Sequence, residues 1–179
     1  MNIFRASAVF GFLALALIAP GCSSTGFDDI DVSTEADTEV DFDGYKSYAW
    51  SAAAAVIRDP EGEWQVPELD IGAEIMHLVN SELRGMGMTE VATAPDLHVI
   101  YAVGIDMKAL KLVYNEEAEG DLVEEVPEGG VVILMTDPKT REVVWAASAK
   151  AELQAEPELE LAKQRLAYAI SEMFADFPN

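Results

Sequence analysis

Cys22 is the only cysteine in the 179-residue chain, and it directly follows a short apolar run that begins near the initiator methionine. A lone thiol at that place is suited to acylation, after which it becomes the new N-terminus. Leu17-Ile18-Ala19-Pro20-Gly21-Cys22 resembles a lipobox, with small Gly21 before the modified residue, although Ala19 stands where Leu is usual. The other reactive types are sparse or too abundant to point anywhere. His77 and His98 are isolated in sequence and lack metal-ligand spacing. His98, on an apolar run, is expected to be a hydrogen-bonded core residue. The acids Glu116, Glu117, Glu119, Asp121, Glu124 and Glu125 could gather Ca²⁺, which takes six to eight oxygens. Their spacing is not that of an EF-hand loop, so a solvated, charge-repelled loop is the expected reading. No P-loop, dinucleotide fingerprint or nucleophile elbow is present. Carboxylates are so numerous that a close pair would arise by chance in almost any fold. No catalytic residue, cofactor site or metal site is therefore assigned.

The elements that position Cys22 are at the N-terminus. Ala8 to Ala19 is apolar, with Arg5 the only charge before it. Twelve helical residues rise about 18 Å, short of a hydrocarbon core of roughly 30 Å. Residues 1–21 are accordingly predicted to be a signal peptide, with residues 22–30 an acylated cysteine and tether. One acyl chain holds a protein marginally and two or more hold it firmly, at about 0.8 kcal/mol per buried methylene. Ser23 and Ser24 follow with no Asp at the second position, a pattern that resembles outer-membrane sorting in enteric-type lipoproteins.

Residues 31–179 are expected to form one domain. With one cysteine there is no internal disulfide, so the apolar core must hold the fold alone. The formal charge is −22, and loss of Arg5 with the signal makes it −23. Phosphate contacts need the opposite sign, so nucleic-acid binding is excluded. Anionic headgroups also repel such a domain, which leaves the acyl group on Cys22 as the membrane contact.

Alternating Val32, Thr34 and Ala36 predict a strand with one solvated face. Phe42-Asp43-Gly44-Tyr45-Lys46-Ser47-Tyr48-Ala49-Trp50 is the most aromatic stretch and is assigned to the core. Residues 51–67 carry Pro60, Gly62 and Pro67 and read as irregular. From Asp70 a helix is signalled by the stripe Ile71, Ile75, Leu78, Val79, Leu83 and Met86, with Gly85 or Gly87 as its left-handed C-cap. After Pro95 the period becomes two: Leu97, Val99, Tyr101, Val103 and Ile105 share one face of an interior strand. Asn115–Glu128 reads as an exposed acidic loop or loose hairpin end. Gly129-Gly130 opens a strand through Thr136, and the turn Asp137-Pro138-Lys139-Thr140 leads to its partner, from Glu142 to about Leu153. The last helix follows Pro157, with Leu159, Ala162, Leu166, Ala169, Ile170, Met173 and Phe177 as its buried stripe.

Several of these phrases, in order, resemble the bacterial lipoprotein family catalogued as domain of unknown function 4136. They are Phe42–Trp50, Leu83–Gly87, Pro95–Val99, Gly129–Asp137, Val143-Val144-Trp145 and Ile170–Pro178. Gly130 and Leu134 depart from the more polar residues usual in the Gly129 strand. Ala146-Ala147 replaces the basic residue and glycine usual after the Trp. The resemblance implies an anchored periplasmic α+β domain and transfers no catalytic residue. The order βαβ, hairpin, helix is also similar to that of small lipoproteins that assist lipid or lipopolysaccharide transport at the outer membrane. The expected architecture is α+β, a single domain with a mainly antiparallel β-sheet and two helices packed on one face. Tyr48, Trp50, Tyr101, Ile133, Trp145, Leu166 and Phe177 are its expected core. The leading expectation is a non-enzymatic binding or scaffold lipoprotein at the periplasmic face of the outer membrane. An accessory role in a lipid-trafficking or envelope-assembly complex is the first alternative. An acid-dependent hydrolase is the second, and it requires two buried carboxylates with opposed pKa shifts.

Overall fold

A computed structural model describes residues 26–63, 69–115, 120–153 and 158–178, with the backbone alone over 110–115 and 120–124. Its elements are β1 (Asp31–Ala36), a 3₁₀ turn (Phe42–Gly44), β2 (Ser47–Arg58), α1 (Ile71–Gly85), β3 (Thr89–Glu90), β4 (Leu97–Asn115), β5 (Gly120–Thr136), β6 (Val143–Glu152) and α2 (Leu159–Ala175). The strands form one six-stranded sheet in the order β1-β6-β5-β4-β2-β3. The pairs β1–β6, β6–β5 and β5–β4 are antiparallel, while β2 lies parallel to both β4 and β3. This is the predicted α+β domain, with both helices on one sheet face.

α1 forms where its stripe says it should. Asp70 caps it, its Oδ1 accepting the Ala73 N–H at 3.0 Å, and Ile75, Val79 and Leu83 are buried. It ends in a Schellman arrangement: the Gly87 N–H donates to the Arg84 carbonyl and the Met88 N–H to the Leu83 carbonyl. Gly87 takes φ +84°, so it, rather than Gly85, is the left-handed residue. α2 buries Ala169, Ile170, Met173 and Phe174. Leu159 departs from the expected stripe, at 43 % exposed in the first turn. Phe177, past the helix end, joins Trp145, Phe174 and Phe42 in an aromatic cluster with ring centroids 4.9 to 5.9 Å apart.

Two segments are more regular than expected. Residues 51–58 continue β2, in register with β4 from Ala52↔Ile100 to Arg58↔Asp106. Four successive alanines carry little β-propensity of their own, so this extension comes from pairing with β4. Of the two readings of Asn115–Glu128, the hairpin end holds and the open loop does not. β4 and β5 stay paired to Asn115↔Gly120, with one irregularity between Asp106 and Ala109. Pro127 sits opposite that irregularity, where a residue without an N–H does least harm to the ladder.

Three of the seven expected core residues are less buried than predicted. Tyr48, Ile133, Trp145 and Phe177 are buried, whereas Trp50, Tyr101 and Leu166 pack against the core and remain partly exposed.

Candidate functional site

The helices cover the sheet incompletely. α1 begins at Ile71, and the far half of β2 and β4 extends past it. A bulge between Trp50 and Ala52 shifts the phase of β2, so that Ala53, Ala55 and Ile57 lie on the helix side, in register with Tyr101, Val103 and Ile105. With Leu69, Ile71 and Gly72 at the helix start, these side chains line an open trough of about 480 Å³. Asp70 is its one charged lining residue. Gly72 leaves room for the Tyr101 ring: a Cβ on it would lie 2.5 Å from the Tyr101 hydroxyl, which would have to shift.

Behind Tyr101, hydrogen bonds tie α1 to β2. Asn80 on α1 presents Oδ1 to the Tyr48 hydroxyl at 2.8 Å and to Trp50 Nε1 at 3.0 Å. Indole nitrogen can only donate, which fixes the amide orientation. The Trp50 ring then meets Tyr101 edge-on at 5.8 Å between centroids. Where β2 starts, Asp96 Oδ2 accepts the Ser47 hydroxyl at 2.7 Å and the backbone N–H groups of Lys46 and Ser47. Those bonds, Ser47's hydroxyl first, hold the Asp96 carboxyl below its ordinary range.

Beyond the trough lies a charged rim. Arg58 pairs with Asp106 at 2.8 Å, and Lys108 Nζ lies 2.9 Å from both Glu61 and Glu125. The two acids hold the Lys108 ammonium well above its usual value. At the opposite edge of the sheet, Arg165 on α2 binds Asp29 at 2.8 Å and the Gly26 carbonyl, and Phe27 stacks on Tyr168 at 4.9 Å. The chain is thus fastened beside α2 just where it leaves the N-terminal segment. The guanidinium bond lowers the Asp29 carboxyl.

The sequence-assigned site, Cys22, lies outside the described residues, as do Glu116, Glu117 and Glu119. Glu125 is the member of the acidic set with a described side chain, and its partner is Lys108. Among the described residues no three His, Cys, Asp or Glu groups gather as for a metal, and no helix is long and apolar enough to cross a membrane. Every described carboxyl with a resolved shift moves downward: Asp29, Glu61, Asp96, Asp106 and Asp137. His77 is exposed. His98 lies on the uncovered sheet face, and its Nδ1 has no hydrogen-bond partner, against the expectation of a bonded ring. The trough itself was missed from sequence because it depends on residues 51–58 being a strand.

The family model described as Domain of unknown function (DUF4136) matches residues 32–179. The chain belongs to that family. The DUF4136 fold is also seen in a family protein from Bacteroides thetaiotaomicron, 14 % identical, with TM-score 0.54, covering 82 % of this chain and 95 % of that one. A PDZ domain protein from Parabacteroides distasonis is similar at 17 % identity and TM-score 0.51, over 84 % of this chain. This chain spans little more than a third of that protein, 37 % of its length. No curated protein matches the sequence. At such identities the likeness shows the fold alone.

Proposed function

We propose that this DUF4136 domain is a non-enzymatic binding or scaffold module, acylated on Cys22 and held at the periplasmic face of the outer membrane. The observation that carries the reading is the placement of tether and trough at opposite edges of one sheet. Gly26 to Ile30 is fastened beside β1 and α2, whereas the trough borders β2. Four inter-strand steps separate β1 from β2, about 19 Å at the usual spacing. Cys22 lies four residues ahead of Gly26, a span of at most about 14 Å when extended. An acyl group on Cys22 therefore keeps the β1 edge close to the bilayer and leaves the β2 edge facing the aqueous compartment.

Metabolic labelling with an alkynyl fatty acid tests the anchor. Wild-type protein is expected to take up label and fractionate with outer membranes, and Cys22→Ala to do neither. Equal labelling of the two, or an untrimmed precursor as the mature form, refutes it.

An accessory role in lipid trafficking or envelope assembly is a second reading, favoured by the apolar lining of the trough. Native mass spectrometry of gently extracted protein distinguishes it. A mass increment of one acyl chain beyond the anchor supports lipid carriage, and its consistent absence removes it.

A further inference from the structure

Beyond Tyr48, the outer edge of β2 has no neighbouring strand among the described residues. From Ser51 to Ile57 this edge contains no charge, proline or glycine, in a chain that is 25 % charged. Val56 is 66 % exposed and Ile57 53 % exposed. Proteins normally blunt such an edge with lysine, proline, brevity or a twist-inducing bulge, because bare N–H and C=O groups template another strand. β1, the other edge, follows that practice: it is short, and Asp31 and Glu35 are exposed on it. The single bulge in β2, at Ser51, opens the bare run and aims Ala53, Ala55 and Ile57 at the trough.

A bare edge beside an apolar trough fits strand addition, in which backbone hydrogen bonds supply affinity and pockets for alternate side chains supply selectivity. The alanines lower the floor next to the edge. Larger side chains on an added strand can lean across them towards Tyr101, Val103 and Ile105.

Charge selects the partner. The bare run starts where β3 stops at Glu90, and it ends at Asp59, Glu61 and Glu63. Around that end the acids Asp59, Glu61, Glu63, Asp106 and Glu125 outnumber the cations Arg58 and Lys108, so ion pairing of Arg58 with Asp106 and of Lys108 with Glu61 and Glu125 still leaves a net negative charge. An apolar segment with basic ends complements this edge. A second copy does not, since antiparallel β2 strands would set the acids of each copy against those of the other, on chains of formal charge −22. A lipid tail has no groups to satisfy the backbone. We propose that the β2 edge accepts, as a seventh strand, an extended polypeptide segment with alternating apolar residues and Lys or Arg at both ends. This rests on the docking reading above and names its partner class.

The test uses the full-length acylated protein in cells, with a photo-crosslinking residue at Ala54, at Ser33 on the β1 edge, or at Tyr168 on α2. The expected result is an adduct from position 54 that maps to an apolar segment bounded by Lys or Arg. Ala55→Lys, at an exposed position, is expected to abolish it while the circular dichroism spectrum stays unchanged; Ala53→Lys serves if that variant fails to fold. Adducts from 33 or 168 but none from 54 overturn strand addition and leave a docking protein. Silence at all three positions overturns both readings. An adduct to a second copy of this chain, or to an acidic segment, overturns the partner chemistry. In detergent micelles, an octapeptide of alternating Val and Thr with Lys ends should bind the purified protein at least tenfold more tightly than the same peptide with Glu ends. Equal binding overturns the charge argument.

Discussion

Asn80→Ala should be among the most damaging conservative truncations on the α1 surface. One amide oxygen accepts from both the Tyr48 hydroxyl and the Trp50 indole, at 2.8 and 3.0 Å. Tyr48 is fully buried, so its orphaned hydroxyl has no easy route to water. A buried donor left without a partner costs about 1–3 kcal/mol. Trp50 is only half-buried, and its share belongs at the low end of that range. The sum is a loss of about 2–4 kcal/mol, or roughly 4–16 °C in Tm for a domain of this size. Tyr48→Phe removes the donor together with its need, and should lose about 1 kcal/mol or less. The double variant should therefore be less damaged than the two single losses combined, because the orphaned hydroxyl is gone. Asn80→Asp keeps the acceptor but sets a like charge near Glu90, which takes a 3.3 Å bond from the Asn80 amide nitrogen. It should fall between wild type and Asn80→Ala, and recover partly in salt. Urea unfolding followed by circular dichroism, which avoids the Trp50 signal, gives each value. A loss below about 0.5 kcal/mol for Asn80→Ala, or strict additivity with Tyr48→Phe, would refute the shared-acceptor argument.

Asp29 is lowered below its ordinary value of 3.8 by the Arg165 guanidinium, so its contribution is present above that value and lost as pH falls through the lower folded one. Asp29→Asn should then be less stable than wild type at neutral pH, with the gap closing below about pH 4; a gap that persists into acid counts against the pair. Burial and the bond to Asp137 push the Tyr45 hydroxyl up to about 12. It stays protonated after the unfolded phenol ionises near 10, so this contribution is complete below pH 10 and fades as pH rises towards 12. Absorbance titration at alkaline pH should find Tyr45 and the buried Tyr48 ionising late, and Asp137→Asn should bring Tyr45 alone earlier; an unmoved Tyr45 midpoint dismisses the bond. Arg141 takes φ +66° at an exposed turn. Arg141→Gly should raise stability by about 0.5–1 kcal/mol, and a loss in urea unfolding would show that the Arg side chain outweighs the strain.

Much of the fold was legible because local and global preferences agree. The α1 stripe, its Asp70 cap and the glycine after it each satisfy a helix that also packs. The alternation of Leu97, Val99, Tyr101, Val103 and Ile105 marks β4 for the same reason, and Asp137-Pro138 makes its turn from short-range chemistry. The ordered phrases from Phe42 to Pro178 were enough to point to the family. The proposal that Cys22 is acylated rests on sequence alone, since that residue lies outside the described structure.

The tertiary structure alone decided which strands adjoin and what the sheet leaves uncovered. Nothing in Ser51–Arg58 signals a strand, because four alanines prefer no extended form until β4 offers its backbone groups along a parallel register. The Trp50–Ala52 bulge then chose which alternate residues face the helices, a choice that a period-two pattern of near-identical side chains cannot encode. Asn80 was likewise unremarkable until α1 docked it between Tyr48 and Trp50. Caps, stripes and turns depend on neighbours a few residues away, which the chain order states. The trough and the bare edge depend on partners up to fifty residues away, whose position only the folded sheet supplies.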